Sequence, residues 1–444
     1  MSILGDRLKN VETNKQVVQE RVARQTTRPS EGEAEIVRRL AGQMSTKFRD
    51  EISRYGLTPD IKQRIRDAIA EAASHETGDY EQQQRITQIT CNHVIGLGPL
   101  EIFMEDPEVT EIIVQRYDNI CVERNGIMYQ VNASFTDEAQ LQMIINRIVQ
   151  PVGRQINLST PIVDARLSNG SRVNATVPPV TPDGATLSIR KFSDKAMTGE
   201  DYLSLGSLDK DMLEFLSKCV AAKINIIVSG GTSTGKTTLL NMLSSYIPEN
   251  ELIVTIEDSC ELQLRQRNVR RMEARQSSAE GMLPITTQTL VKNALRMRPD
   301  RIIVGEIRDG TIVDMMSAMS TGHEGSMSTV HANNPGNLMN SRMPILYGMN
   351  EQVKFSIDTQ YMQIVEAIQL VVHISRLRNG QRKITHITEV SGLTDKNRVK
   401  LNDIFKYNEG KEAFEATGYI PTSVIDKMKA KGITLDEQIF DKKE

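Results

Sequence analysis

Residues 224–238 of the chain, INIIVSGGTSTGKTT, set the architecture of its larger part. A run of apolar, mostly β-branched residues at 224–228 leads into a glycine-rich loop at 229–238. Residues 239–243, LLNML, then place apolar side chains at helical spacing. This succession predicts a buried strand, a tight loop and a helix, the unit from which parallel α/β sheets are built.

The loop matches the phosphate-binding pattern G-x-x-x-x-G-K-S/T, in which glycines let backbone N–H groups wrap around a phosphate. The amino terminus of the following helix adds partial positive charge. We predict that Lys236 reaches the β- and γ-phosphates of ATP and that the Thr237 hydroxyl holds Mg²⁺. The predicted nucleotide-binding residues are Gly230, Gly231, Thr232, Ser233, Thr234, Gly235, Lys236, Thr237 and Thr238.

Two further apolar runs end in acidic residues. Residues 301–306, RIIVGE, end in Glu306, and residues 253–258, IVTIED, end in Glu257 and Asp258. Because the carboxyl ends of parallel strands meet at one edge of a sheet, we expect these carboxylates beside the loop. We predict that Glu306 orients the attacking water and contributes to the Mg²⁺ site. Glu257 or Asp258 is predicted to help position the water or the metal.

Residues 321–333, TGHEGSMSTVHAN, place His323 and His331 among small polar residues. Their i, i+8 spacing is not that of a zinc site. We therefore predict that one of these histidines senses or contacts the γ-phosphate or its water. The remaining histidines, which we interpret as structural, are His75, His93, His373 and His386.

The composition is that of a globular protein. Of the 444 residues, 39% are hydrophobic and 25% charged, and the net charge of −3 gives no general electrostatic argument for binding nucleic acid or acidic lipid. Aromatic residues make up 4%, and we find no basic groove interleaved with aromatics. The start of the chain lacks a signal-peptide core, and no apolar run approaches transmembrane length. We expect a cytoplasmic protein.

Changes in composition and periodicity predict five segments. Residues 1–30 are polar and irregular, which is typical of a flexible arm. Apolar residues at helical spacing predict about three helices in a module at 31–90, and short alternating runs predict an α+β domain at 91–195. Residues 196–206 fit a linker. Strand-like runs alternating with helical patterns over 207–444 predict a mostly parallel sheet, followed by a helix near the end of the chain.

These motifs, in this order, resemble those of the type II/type IV secretion ATPase superfamily. The loop at 229–238 is similar to its Walker A motif, and residues 256–258 are similar to its Asp box. Residues 301–306 resemble its Walker B motif and residues 321–333 its His box, which is the discriminating element.

Within the superfamily, the sequence looks like the CpaF-type ATPases of Tad/Flp (type IVc) pili. The resemblance rests on GLGPLE at 96–101, VERNG at 122–126, DARLSNGSRVNA at 164–175 and LRMRPD at 295–300. It implies an α/β protein with a RecA-like P-loop NTPase domain, preceded by an α+β (PAS-like) domain and a helical module.

The resemblance also implies a homo-hexameric ring that hydrolyses ATP with Mg²⁺. Such a ring works at the inner face of the cytoplasmic membrane through platform proteins, without direct contact to nucleic acid. Basic residues of the first domain, or of a neighbouring subunit, would complete each site, since a guanidinium bridges phosphate oxygens well. On matching positions these are Arg166, Arg172 and Arg190.

Some stretches depart from the family pattern, namely IIVQRY at 112–117, RDG at 308–310 and RMP at 342–344. The first hypothesis is a motor for assembly, and possibly retraction, of a type IV/Tad pilus. The second is the ATPase of a type IV protein or DNA secretion or conjugation system. A non-hydrolysing, nucleotide-gated scaffold is a third hypothesis, against which Glu306 argues, and a nucleic-acid translocase is a weaker fourth.

Overall fold

The computed structural model describes residues 30–124, 126–192, 196–275 and 283–442. The predicted arm at 1–30 therefore lies outside the described residues, apart from Ser30. The chain divides into two compact units, Met1–Asp194 and Lys195–Glu444.

The first unit begins with helices: α1 (Glu31–Lys47), α2 (Arg49–Tyr55), α3 (Pro59–Ser74) and α4 (Tyr80–Val94). Ser30 and Glu33 form a reciprocal capping box at the start of α1, and Thr58 caps α3 ahead of Pro59. The sequence pattern predicted about three helices. It missed α2. All residues of this helix are described and none of them is buried, so the helix lacks the buried apolar stripe by which a pattern is recognised.

An antiparallel sheet follows in the same unit, after the short helix α5 (Glu101–Glu105). Its strands are β1 (Val109–Arg116), β2 (Asn119–Arg124), β3 (Ile127–Gln130), β4 (Ile162–Arg166), β5 (Arg172–Thr176) and β6 (Thr186–Arg190). The strand order is β3-β2-β1-β6-β5-β4. Helix α6 (Glu138–Val149) packs its apolar residues against the inner side chains of the sheet. This is the α+β arrangement that the sequence predicted.

The second unit contains a nine-stranded sheet in the order β15-β14-β13-β12-β7-β11-β10-β8-β9. The strands are β7 (Ile226–Gly230), β8 (Ile253–Glu257), β9 (Val269–Glu273), β10 (Arg301–Val304), β11 (Met327–His331), β12 (Leu370–Arg376), β13 (Arg382–Leu393), β14 (Val399–Asn408) and β15 (Ala413–Ala416). The six strands in the order β12-β7-β11-β10-β8-β9 run parallel to one another. Strands β13, β14 and β15 extend the sheet beyond β12 in antiparallel pairs.

Helices cover both faces of this sheet: α7 (Gly199–Ser204), α8 (Lys210–Ala221), α9 (Lys236–Ser244), α10 (Thr287–Ala294), α11 (Thr311–Ser320), α12 (Pro335–Asn337), α13 (Met343–Gly348), α14 (Ile357–Ala367) and α15 (Thr422–Ala430). Strand β7 shows how the layers form. Ile226 and Val228 belong to the core beneath α8 and α9, whereas Ile227 belongs to the core beneath α11 and α14. A strand buried on both faces has the continuous apolar run that the sequence displays.

The predicted linker at 196–206 requires a correction. Thr198 and Asp201 form a capping box that starts α7, and Tyr202 of this helix is buried in the core of the second unit. Lys383 at the start of β13 bonds the carbonyl oxygen of Gly206. The Gly, Asp and Ser residues that suggested a linker are thus helix-capping and turn residues of the second unit.

None of the helices in the described ranges is both long and apolar enough to cross a bilayer.

Candidate functional site

The glycine-rich loop forms a tight cradle at the carboxyl end of β7. A Cβ atom added to Gly230 would lie 2.3 Å from the Ile374 carbonyl oxygen, so only glycine fits there. Ser233 and Gly235 take left-handed backbone angles, with φ of 58° and 96°. Gly235 then caps α9 at its amino terminus. Glycine-rich loops that lead into the amino terminus of a helix bind phosphates through their backbone N–H groups.

Lys236 stands at the first turn of α9 and folds back over the loop. Its Nζ donates to the Gly231 carbonyl oxygen at 2.9 Å. Burial lowers the pKa of the Lys236 ammonium and Arg308 lowers it further, while Glu306 opposes them. A partly desolvated ammonium interacts strongly with an incoming phosphate, so the loop and Lys236 fit a nucleoside triphosphate.

Glu306 comes two residues after β10, and its carboxylate forms an ion pair with Arg308. Arg308 Nη2 lies 2.5 Å from Glu306 Oε2, and Arg308 Nη1 lies 3.9 Å from Asp258 Oδ2. The two carboxylates raise the pKa of the Arg308 guanidinium, chiefly through the bond to Glu306. Arg308 thus links Glu306 to Asp258, and Lys236 lies close enough to Glu306 to interact with its charge. Sequence reasoning registered Arg308 only as a departure from the family pattern.

Glu257 ends β8 and packs over Gly305. A Cβ atom on Gly305 would lie 3.1 Å from Glu257 Cγ, so the glycine before Glu306 makes room for this side chain. Glu257 Oε2 accepts from the backbone N–H of Glu261 at 2.7 Å and of Leu262 at 3.0 Å. Oε1 is buried with no partner in the described part of the chain. Burial raises the pKa of Glu257 to about 7 despite the two backbone donors. The carboxyl is therefore poised to hold or release a proton near neutral pH.

The two histidines of 321–333 lie at opposite ends of β11. His331 is opposite Gly230 in the sheet register, at the edge that carries the loop. His323 precedes the strand, where Ser326 donates to its carbonyl oxygen and the adjoining Gly325 N–H bonds Asn225 at the start of β7. A five-residue strand spans roughly 13 Å. The contact of one histidine with the γ-phosphate or its water therefore stays a prediction, and the position of His331 opposite Gly230 favours His331 over His323.

His373, interpreted from the sequence as structural without a role, lies directly behind the loop. It is 2% exposed on β12, and its Nδ1 lies 2.8 Å from the Oγ of Ser229, the residue before Gly230. The ring also hydrogen-bonds the backbone of Asn333, just beyond His331. His373 therefore joins the strand of the glycine-rich loop to the end of the His box. Only the pairing of β12 with β7 brings these residues together, which no local pattern signals.

Removal of His373 should change how stability depends on pH. Burial, aided by the nearby His386 and Lys236 and opposed by the hydrogen bond to the Asn333 backbone, lowers the pKa of His373 from an ordinary 6.5 to about 4. Below pH 6.5 His373 is protonated in the unfolded chain, whereas in the folded chain it stays mostly neutral down to about pH 4. The free energy of unfolding therefore falls as the pH falls from 6.5 toward 4. Between pH 7.5 and 5 this amounts to about 2 kcal/mol.

Urea unfolding of the wild type and of His373→Gln at both pH values measures this difference. His386 remains in both proteins, so its own titration does not separate them. We expect the variant to lose less stability on acidification, and equal losses would contradict the assignment.

The arginines predicted from the first unit form one row across its sheet. Arg166 pairs with Arg172, and Arg172 pairs with Arg190, at one end of β4, β5 and β6. Directly paired residues share a face, and these strands turn Val163, Val173 and Ile189 to the core on the other face. Arg166 is anchored by a bond to the Gly170 carbonyl oxygen and lies 5.8 Å from the Phe192 ring. Arg190 is in turn opposite Glu111 of β1, so the row of three arginines continues into a carboxylate.

The residues present fit Mg²⁺ as a companion of the triphosphate and not as an ion held by protein alone. In the described ranges, no group of three or more His, Cys, Asp or Glu residues can hold a metal. Mg²⁺ is commonly held by one or two protein oxygens together with phosphates and water. Thr237 on α9 and Glu306 would hold it here, and when bound it would neutralise charge on the phosphates.

A mostly parallel sheet, a glycine-rich loop in which only glycine fits at position 230, and a strand-end glutamate near the loop lysine define a P-loop ATPase of RecA-like fold. The chain belongs to the Type II/IV secretion system protein family, whose match covers residues 94–408.

Individual relatives agree with this family. A putative conjugal transfer protein of Mycobacterium tuberculosis is 33% identical over 306 residues, covering 68% of this chain and 86% of the relative. The type IV secretion system protein VirB11 of Brucella suis is 29% identical over 324 residues, covering 66% and 88%. The solved structure of the pilus retraction motor PilT is similar in fold, with a TM-score of 0.50, 21% identity and coverage of 67% and 84%.

Proposed function

We propose that this ATPase is the homo-hexameric, Mg²⁺-dependent motor of a pilus or secretion machine, acting at the inner face of the cytoplasmic membrane through platform proteins. The observation that carries the proposal is the cluster of Lys236, Glu306 and Arg308 at the edge of the sheet that holds the glycine-rich loop. A strained loop, a desolvated lysine and an arginine-held carboxylate together make a site for hydrolysis, in which binding energy can be converted to movement.

The roles that we propose for the residues are supported by these contacts. Lys236 and the loop backbone bind the phosphates, Glu306 orients water, and Glu257 is near enough to Gly305 to assist with proton transfer. The row formed by Arg166, Arg172 and Arg190 supplies positive charge for a phosphate. His331 stands ready to respond to the γ-phosphate at the end of β11.

Two machines are candidates. The similarity to CpaF-type sequences at 96–101, 164–175 and 295–300 supports a Tad pilus motor. The conjugal transfer relative supports an ATPase of a conjugation or type IV secretion system with equal force, because it matches over most of its length. Both candidates use the same ATPase and differ in the membrane partner.

Capture of that partner distinguishes them. The full-length Glu306→Gln protein, expected to hold ATP without cleaving it, is used as bait on detergent-solubilised membranes of the source organism. Lys236→Ala, expected not to retain the triphosphate, serves as the matched control. A pilus platform protein in the first sample alone supports the pilus motor, and a conjugative coupling ATPase or channel protein supports the second candidate. A monomer by light scattering, with and without Mg²⁺-ATP, contradicts the hexameric proposal.

A further inference from the structure

The order of strands fixes which end of a bound nucleotide faces which part of the second unit. Strand β7 carries the loop, β11 and β10 lie on one side of it, and β12 lies on the other. Lys236 interacts electrostatically with Glu306 and Arg308, both beyond β10. The γ-phosphate therefore belongs to that side. The nucleoside end of the molecule then extends toward β12 and the hairpin that joins it to β13.

Arg382, the first residue of β13, lies against the glycine-rich loop on this side. Its Nε donates to the Ser233 carbonyl oxygen at 3.3 Å. A Cβ atom on Gly235 would lie 3.4 Å from Arg382 Cδ, so the stem of the arginine packs along the loop backbone. A guanidinium carries five N–H donors, and four of them are on the terminal nitrogens, which the Nε contact leaves in place.

The hairpin is cationic at the point where it meets the loop. Arg376 at the end of β12 is directly opposite Arg382 in the ladder, and Arg378 lies in the turn between them. Together these three arginines make the end of the hairpin positively charged, which favours an anion beside Arg382.

Residues 202–207, at the end of the predicted linker and just after it, hold this hairpin in place. The Ile384 N–H donates to the Ser207 carbonyl oxygen at 2.9 Å, and Lys383 bonds Gly206. Tyr202 of α7 is buried and interacts electrostatically with Arg382. Arg382 thus projects from a braced strand end, and its position relative to the loop is fixed before a ligand binds.

We propose that Arg382 binds the α-phosphate of the nucleotide in its own chain. It serves as a cation for the nucleoside-proximal phosphate, separate from the γ-phosphate group of Lys236, Glu306 and Arg308. ATP and ADP share the α-phosphate, so Arg382 stabilises both to the same degree.

The test measures dissociation constants by isothermal titration calorimetry on the full-length protein with Mg²⁺. The ligands are ADP, a non-hydrolysable ATP analogue and inorganic pyrophosphate, which has no α-phosphate. The variants are Arg382→Ala, Arg382→Lys and the charge-matched control Arg267→Ala, an exposed arginine beside β9 at the far edge of the sheet. Urea unfolding verifies that each variant is folded.

Arg382→Ala is expected to raise the dissociation constants of ADP and of the ATP analogue by the same factor, roughly ten- to hundredfold, and to leave that of pyrophosphate unchanged. The dissociation constants of Arg382→Lys should lie between those of the wild type and of Arg382→Ala, since lysine keeps the charge but lacks the planar guanidinium. Arg267→Ala should match the wild type. An equal weakening of pyrophosphate would show that Arg382 only shapes the loop and would overturn the proposal. Weakening of the ATP analogue alone, or no change, would also overturn it.

Discussion

Glu306→Gln is expected to lower the rate of ATP hydrolysis by about 10²- to 10⁴-fold while bound ATP is retained. The amide keeps the shape of the side chain and an oxygen that can accept a hydrogen bond from Arg308. In the wild-type protein, Arg308 Nη2 lies 2.5 Å from Glu306 Oε2. What the substitution removes is the charge that draws a proton from the attacking water. The phosphate contacts of the loop and Lys236 remain, so the substitution lowers the rate of ATP hydrolysis and not the affinity for ATP.

Steady-state phosphate release and the affinity for a fluorescent ATP analogue measure the two effects separately. Glu249→Gln, an exposed glutamate in the loop before β8, removes the same charge away from the site and should hydrolyse ATP at the wild-type rate. Lys236→Ala should instead weaken ATP binding as well as turnover. Hydrolysis at the wild-type rate in Glu306→Gln would remove Glu306 from the chemistry.

The sequence was sufficient for those parts of the site that short-range patterns encode. The loop at 229–238, the strand before it and the acids that end β8 and β10 all follow from apolar runs bounded by glycine or carboxylate. Parallel strands share one carboxyl edge, so the meeting of Glu257 and Glu306 could also be predicted. The structure confirms this convergence through the packing of Glu257 on Gly305.

The parts of the site that the sequence could not predict depend on contacts between residues far apart in the chain. His373 lies 144 positions from Ser229 and Arg382 lies 149 from Ser233, so no window of sequence relates them. Nor could the sequence tell which histidine of 321–333 lies at the edge with the loop, because that depends on β11, which separates His323 from His331. The predicted linker failed for another reason. Capping residues and linker residues are the same types, and only the core position of Tyr202 tells them apart.

Arg301→Met is expected to destabilise the second unit by about 3–5 kcal/mol. Arg301 is fully buried at the start of β10, and its Nε lies 2.5 Å from Glu251 Oε2. Its Nη1 also donates to the Val220 carbonyl oxygen at 2.6 Å. Methionine fills a similar volume and offers no donor, so Lys223, 3.8 Å away, would be the remaining cation beside Glu251 among the described residues. Urea unfolding monitored by circular dichroism measures the loss.

The double variant Arg301→Met/Glu251→Leu separates the worth of the ion pair from the cost of leaving one charge behind. With both charges gone, the main remaining loss is the Arg301 hydrogen bond to the Val220 carbonyl oxygen, which still accepts from the Lys223 N–H at 3.1 Å; this loss is about 1–3 kcal/mol. The double variant should therefore be more stable than Arg301→Met alone, a coupling that contacting residues show and distant ones do not. Lys218→Met is the control, because it breaks the partly exposed 2.6 Å pair with Glu214 on α8 and should cost well under 1 kcal/mol. If the double variant lost as much stability as the two single variants together, Arg301 and Glu251 would not act as a pair. Their role at the amino edge of the sheet would then lie in separate contacts, with Arg301 serving the Val220 and Gly325 carbonyls.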